Sequence, residues 1–170
     1  ELNFIKVSNG CISCDVIDAD LSGADLSKKD FTGVNFTGSD LRGVDFSKSI
    51  LVSSNFTSTD LSGAKLEGVN LTRVNFTNSE MYGLDLLNTN LTDANLTDVN
   101  LSGSSLFAAN LTRANLTRAN LSNVNLFGAN LTGANLTGAN LTGADIFGVK
   151  TDGAILCNTL MPGGVNNSGC

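Results

Sequence analysis

Several residue types on which enzymes rely are scarce or missing from this chain. Its 170 residues include no His, no Trp, one Pro and one Tyr. Without histidine there is no imidazole to act as a general base or to bind a metal ion, and no nucleophile lies in a recognisable triad. The composition therefore argues against an enzyme, and we expect no catalytic residue and no cofactor.

Long apolar runs are missing as well. No stretch approaches the roughly 18 apolar residues of a membrane-spanning helix, so we expect a soluble protein without membrane insertion. The chain starts at Glu1 with neither Met nor a signal-like stretch. We interpret this start as the result of removal of a preceding export signal.

What fills the chain is a short repeat built from Asn, Leu, Thr, Ser, Ala and Gly. Such a bias is typical either of low-complexity disorder or of a structural repeat. An apolar residue returns at every fifth position from Leu21 to Ile146, which supplies the apolar surface that a disordered chain lacks. The residue before it is Asp or Asn with four exceptions, Ile50, Lys65, Glu80 and Ser105. We therefore predict an ordered repeat.

A period of five residues fits neither a continuous helix nor a continuous strand, so the chain must turn within each five-residue word. Most glycines stand two residues after the apolar centre, where a type II turn needs a positive φ. Two sets of phenylalanines recur at intervals of 20 residues: Phe36, Phe56 and Phe76, then Phe107, Phe127 and Phe147. The spacing predicts four words per turn with the centres pointing inward, and a rod of roughly 34 Å at about 4.8 Å per turn.

The words ADLSG, ANLTR and ANLTG resemble the pentapeptide-repeat family over residues 15–156. That resemblance implies an all-β fold, a right-handed quadrilateral parallel β-helix of about seven coils of four pentapeptides. The flanks CISCDVIDADLSGADL and GAILCNTLMPGGVNNSGC are similar to those of cyanobacterial and thylakoid-lumen members. We divide the chain into an N-terminal cap (1–13), the repeat (14–149), and a last partial coil with the C-terminal cap (150–170).

The four cysteines lie near the two ends of this predicted rod, which should stand roughly 30 Å apart. Because a disulfide needs Cα atoms within about 7 Å, only Cys11 with Cys14 and Cys157 with Cys170 can pair. The C-terminal pair could instead be reduced thiols in a flexible tail. The N-terminal pair could be buried thiols, a redox-active CxxC or half of a zinc site. Structural disulfides favour the thylakoid lumen or the periplasm over the cytoplasm.

Stacking residues 20 apart brings two unusual sets of side chains into line. The first is an acidic column, which would either hold a weakly bound cation or tolerate repulsion on a wet surface: Asp20, Asp40, Asp60 and Glu80. The second is apolar and points outward: Leu87, Phe107, Phe127 and Phe147. Contiguous exposed apolar surface usually marks an interface. The alternative is that the C-terminal cap folds back over this second set.

We therefore expect a non-enzymatic structural or protein-interaction module that presents rigid flat faces to an unidentified protein partner or to a second copy of itself. The alternative is a DNA-mimicking inhibitor of DNA gyrase or topoisomerase, which the family resemblance brings with it. Duplex DNA carries one negative charge per roughly 1.7 Å, so a rod of about 34 Å would need about 20 negative charges. The net charge is only −6, which argues against the mimic, and we expect no nucleic-acid partner.

Overall fold

The computed structural model describes residues 9–170, and within that range the chain is β-structure without any helix. Parallel β-bridges join residues 20 apart, from Gly10 with Asp30 to Asn140 with Leu160. The chain thus passes over its own path once every 20 residues, the interval on which the phenylalanines recur. We call each such passage a coil, and words one coil apart share a face. The predicted all-β class is confirmed.

Each coil is joined to the next by backbone hydrogen bonds that repeat in nearly every word. In the word centred on Leu116, the Leu116 N–H donates to Asn135 O of the following coil at 2.7 Å. The Asn115 N–H donates to Ala94 O of the preceding coil at 2.9 Å. Within the word, the Ala119 N–H returns to Leu116 O at 3.0 Å and closes the turn. Backbone groups that a helix would satisfy locally are therefore satisfied between coils.

The second residue after each centre takes a left-handed backbone conformation whatever its side chain. Gly63 has a φ of 73°, and Arg113 and Asn123 have φ values of 56° and 55°. Glycine adopts this conformation at no steric cost, whereas other residues lose about 1 to 2 kcal/mol. The ladder on both sides of the turn holds Arg113 and Asn123 in the same geometry, so glycine is favoured there but not required.

The core consists of the apolar centres and the small residues two positions before them. Towards the N-terminus it contains fully buried phenylalanines, and Phe56 stacks between Phe36 and Phe76 with ring centroids 5.0 and 5.1 Å apart. Where the small inward residue is polar it is satisfied, as where Ser54 Oγ donates to Phe31 O at 2.6 Å. Among the described residues no buried side-chain nitrogen or oxygen lacks a partner.

A hairpin follows the last complete coil. Its strands are β1, Thr159–Met161, and β2, Gly164–Asn166, which pair antiparallel. Strand β1 also lies on the preceding coil, because Leu160 bridges Asn140 in parallel. The hairpin therefore adds one further layer above the face to which Asn140 belongs. In residues 9–170 there is no helix of the length and hydropathy that a bilayer crossing requires.

The cysteines form two disulfides, Cys11 with Cys14 and Cys157 with Cys170. The second joins the hairpin's return segment to the final coil. Residues 1–8, most of the predicted N-terminal cap, lie outside the described residues, while Gly10 already bridges the coil of Asp30. The predicted domain boundaries at 13 and 149 stay predictions.

Replacing Phe56 by Ala should lower the free energy of unfolding by about 3–5 kcal/mol, because a fully buried ring is lost from between two others. The matched control is Phe147→Ala, which removes the same atoms from a side chain that is 72% exposed and should change stability by less than about 1 kcal/mol. Urea denaturation followed by circular dichroism measures both. Equal losses would contradict the inward placement of the centres.

Candidate interaction surface

Most of the outer surface consists of polar side chains that satisfy one another. The Asn115 Oδ1 accepts hydrogen bonds from the Thr117 hydroxyl at 2.6 Å and from the Thr117 N–H at 3.2 Å. The Asn115 Nδ2 donates to Thr97 Oγ1 on the preceding coil at 3.0 Å. The same arrangement recurs at Asn75 and Asn95. These asparagine and threonine columns belong to the scaffold and have little hydrogen-bonding capacity left for a partner.

The four residues Leu87, Phe107, Phe127 and Phe147, which we call the phenylalanine stripe, depart from this pattern. They stand directly after a centre, where the repeat normally has Thr or Ser. The Phe127 N–H still donates to Asn125 Oδ1 at 3.0 Å, but its side chain has no hydroxyl to add a second bond. The fold therefore gains nothing in hydrogen bonding from phenylalanine at this position.

The rings of the phenylalanine stripe stack along one face. Phe107 and Phe127 have centroids 5.3 Å apart and planes 4° from parallel, and Phe127 and Phe147 are 5.4 Å apart at 25°. The exposed fractions are 37%, 38% and 72% from Phe107 to Phe147, and Leu87 is half-buried. The C-terminal hairpin does not cover Phe147. The stripe is thus a continuous apolar strip open to solvent.

Small residues border the stripe on one side. Ala108, Gly128 and Gly148 follow the three phenylalanines directly. A Cβ atom placed on Gly128 would meet no heavy atom within 4 Å. The space beside Gly128 is therefore open, so no side chain walls the stripe at this coil, and we call the strip a ledge.

Below the stripe the same face contains a charged notch. The series of parallel bridges skips the pair Lys65 and Asp85 in the described part of the chain. A cavity of about 350 Å³ lies there, lined in part by Lys48, Lys65, Glu67 and Asp85. Lys65 Nζ turns toward Asp45 Oδ2, at 2.9 Å. In the sequence this position was marked by Lys65, which stands before a centre where most words have Asp or Asn.

The acidic column contains its own counter-charge, which the sequence analysis missed. Arg42 Nε donates to Asp40 Oδ1 at 2.8 Å and lies 3.9 Å from Asp60 Oδ2. These hydrogen bonds and the guanidinium charge lower the pKa of Asp40 to about 2. Arg42 stands two residues after Asp40, where the repeat places the hydroxyl that bonds to Asn or Asp. Its position was therefore a usable signal.

The two ends of the acidic column are satisfied by neutral donors. Asp20 Oδ1 accepts from the Ser22 hydroxyl at 2.7 Å, and this bond lowers the pKa of Asp20. Glu80 Oε2 accepts from Asn100 Nδ2 at 2.7 Å. Within residues 9–170 no three His, Cys, Asp or Glu side chains lie close enough together to hold a metal ion. The carboxylates of the column therefore have hydrogen-bonding or ion-pair partners within the chain.

Four segments of the chain, 14–51, 54–93, 85–123 and 125–161, match the family described as pentapeptide repeats. The chain belongs to the pentapeptide-repeat family. The matched segments include Leu87, Phe107, Phe127 and Phe147, so the phenylalanine stripe lies within this pentapeptide-repeat region.

Solved pentapeptide-repeat structures resemble this chain. HetL, involved in heterocyst differentiation regulation in the cyanobacterium Nostoc sp. strain PCC 7120, is 24% identical with a TM-score of 0.49, and 96% of each chain is covered. QnrB1, a plasmid-mediated fluoroquinolone resistance protein, is 20% identical with a TM-score of 0.50, covering 84% of this chain and 81% of QnrB1. A pentapeptide-repeat protein of the Arabidopsis thaliana thylakoid lumen is 28% identical with a TM-score of 0.21, covering 71% and 63%. Among curated proteins none has a matching sequence.

Replacing Arg42 by Gln should raise the pKa of Asp40 from about 2 toward its ordinary value of 3.8. Because the folded-state pKa lies below the unfolded-state value, ionised Asp40 stabilises the fold above about pH 4, and this stabilisation is lost as the pH falls toward 2. The variant should therefore lose less stability over that interval than the wild type. Carboxyl-carbon NMR titration measures the pKa.

The matched control is Arg118→Gln. Arg118 pairs with Asp98 on a different face and should leave the Asp40 titration unchanged. An Asp40 pKa that stays near 2 in Arg42→Gln would show that Arg42 is not its main partner.

Proposed function

We propose that this pentapeptide-repeat protein is a non-enzymatic interaction module that binds a protein partner through the phenylalanine stripe. The observation that supports the proposal is the exposure of three phenylalanines that stack in one line, at positions where most words carry a threonine or serine. Exposed contiguous apolar surface on a soluble protein usually marks an interaction site. We further propose that the module is a right-handed quadrilateral β-helix of about seven coils.

The scaffold favours binding without rearrangement. Phe107 and Phe127 project from words whose backbones are tied to the neighbouring coils on both sides, as in the bond from the Ala108 N–H to Phe127 O at 2.9 Å. A rigid site loses little conformational entropy when it binds. The module would therefore act as a preformed docking ledge.

The dimensions of the stripe limit the partner. Four residues at about 4.8 Å per coil span roughly 15 Å. A strip of this length is smaller than the patch of about 800 Å² that each partner contributes to a standard stable interface. We infer a partner with a short apolar ridge and charged groups placed to meet the notch lined by Lys48, Lys65, Glu67 and Asp85. Such an interface belongs to the transient class.

The gyrase-inhibitor alternative has less support. Arg113 and Arg118 form ion pairs with Asp93 and Asp98 on the surface, which reduces the negative charge that a DNA mimic would need. The likeness to QnrB1 at 20% identity concerns the fold alone. We expect no inhibition in a DNA supercoiling assay, and inhibition at micromolar protein would favour the mimic.

We also propose an oxidising compartment, either a periplasm or a thylakoid lumen, as the site of action. The two disulfides support this assignment, because reducing compartments keep thiols free. Alkylation of the protein in freshly lysed native cells should find all four cysteines blocked until a reductant is added. Free thiols in the untreated protein would place it in a reducing compartment.

The stripe is tested by the double variant Phe107→Ser/Phe127→Ser. Serine is the residue that the repeat uses at this position, so the coils should remain stacked while the apolar strip is interrupted. We expect cross-linking in native cells to lose the partner that the wild type captures. Circular dichroism verifies that the fold is kept.

The matched control is Thr112→Ser/Thr132→Ser, which changes the same two coils at the same position of the word on another face. It should retain the partner. An unchanged set of cross-linked proteins in the phenylalanine variant would remove the stripe from consideration.

A further inference from the structure

The C-terminal end of the repeat is closed on some faces and open on others. In the last coil that has a complete coil above it, the N–H groups of Leu126, Gly128, Leu131 and Gly133 donate to carbonyls of the following coil at 2.8–2.9 Å. The equivalent residues one coil further are Ile146, Gly148, Thr151 and Gly153. None of these four N–H groups has an acceptor among residues 9–170. Residues 146–153 therefore form an unpaired edge of parallel β-structure.

The hairpin covers the other two faces of the same coil. The Leu156 N–H donates to Ser168 O at 2.8 Å, and Leu160 pairs with Val165 of β2. The disulfide between Cys157 and Cys170 holds this return segment in place. The end of the molecule is thus a step, with two faces one strand higher than the edge at 146–153.

An apolar cavity of about 240 Å³ lies beside the open edge. It occupies the position where the apolar centres of a further coil would pack. Its walls are mainly the centres of the last coils and the residues that border them: Leu131, Leu136, Leu141, Ile146, Leu156 and Met161. At 240 Å³ it is smaller than the sites that take drug-sized ligands, and its size suits an aliphatic or aromatic side chain.

We propose that residues 146–153 bind a peptide segment of a partner protein, which follows the corner of the coil, pairs in parallel with this edge and places an apolar side chain in the cavity. Unpaired strand edges accept further strands through main-chain hydrogen bonds, while pockets for alternate side chains give specificity. Four N–H donors along one coil call for carbonyl groups at the positions that accept these bonds elsewhere in the repeat. The apolar cavity calls for a leucine-like or phenylalanine-like residue.

The step argues for a single strand as the occupant instead of the flat end of a second copy. A second copy that met the hairpin would be held one strand away from the edge at 146–153. One segment of chain that follows the corner of the coil fills that gap and levels the end. This site adjoins the phenylalanine stripe, because Phe147 belongs to both. It can be tested apart from the stripe, because Phe107 and Phe127 belong to the two coils below and point outward.

The probe is the synthetic peptide NLFGANLTGA, the sequence of residues 125–134. Residues 125–134 lie on the preceding coil and pair with one side of the edge at 146–153. A further coil in the same register would pair with the other side of that edge. We expect the amides of Gly148, Thr151 and Gly153 to exchange with solvent at least tenfold more slowly when the peptide is present in excess, as measured by NMR hydrogen exchange.

The matched control peptide has aspartate in place of the residues that correspond to Leu126 and Leu131. It should bind at least tenfold more weakly, because a carboxylate cannot enter the apolar cavity. The protein is unchanged in this comparison, so misfolding cannot explain a loss. The stripe variant Phe107→Ser/Phe127→Ser should bind the first peptide as the wild type does, which separates this site from the proposed function.

Three results would overturn the inference. The first is slow exchange of the Gly148, Thr151 and Gly153 amides in the free monomer. The second is equal binding of the two peptides. The third is sedimentation as a dimer whose dissociation exposes those amides, since a second copy would then occupy the edge.

Discussion

The backbone hydrogen bonds between successive coils are the constraint on which the rest of this structure depends. They form because every word from Leu21 to Ile146 has five residues, which keeps the donors at matching positions of each word one coil away from their acceptors. The same register stacks Phe56 between two rings in the core and Phe127 between two rings outside. A chemical property repeated at this interval becomes a continuous line on the molecule.

The residues that stabilise the fold and those of the proposed binding surface consequently lie in different places. The inward leucines pack against one another, and the asparagine and threonine columns satisfy one another's hydrogen bonds. Both sets are uniform over most of the length of the repeat. The proposed binding surface lies where words depart from the rule: phenylalanine in place of a hydroxyl residue at Phe107 and Phe127, lysine in place of asparagine at Lys65. A scaffold that tolerates such changes on its outer positions can acquire a binding surface without altering its core.

Residues whose role depends only on register could be predicted. The stack of Phe107 on Phe127 follows from counting along the chain. The pairing of Cys157 with Cys170 follows from their lying at the same end of the rod, far from the other two cysteines. Arg42 could not be placed so simply, because a long side chain chooses among several carboxylates within its reach, and it bonds to Asp40. The missing bridge between Lys65 and Asp85 could not be predicted by counting along the chain either, since it reflects an imperfect fit between two particular coils.

The sequence by itself determined the repeat, the inward set and the lines of matched side chains, because a strict period of five leaves each residue one position on the coil. Only the tertiary structure decided how the C-terminal end is closed. There the period stops, and the hairpin can pair with some faces but not with all. Whether Phe147 stays exposed and whether the edge at 146–153 stays unpaired depend on that choice, which arises from packing between segments and from no local pattern.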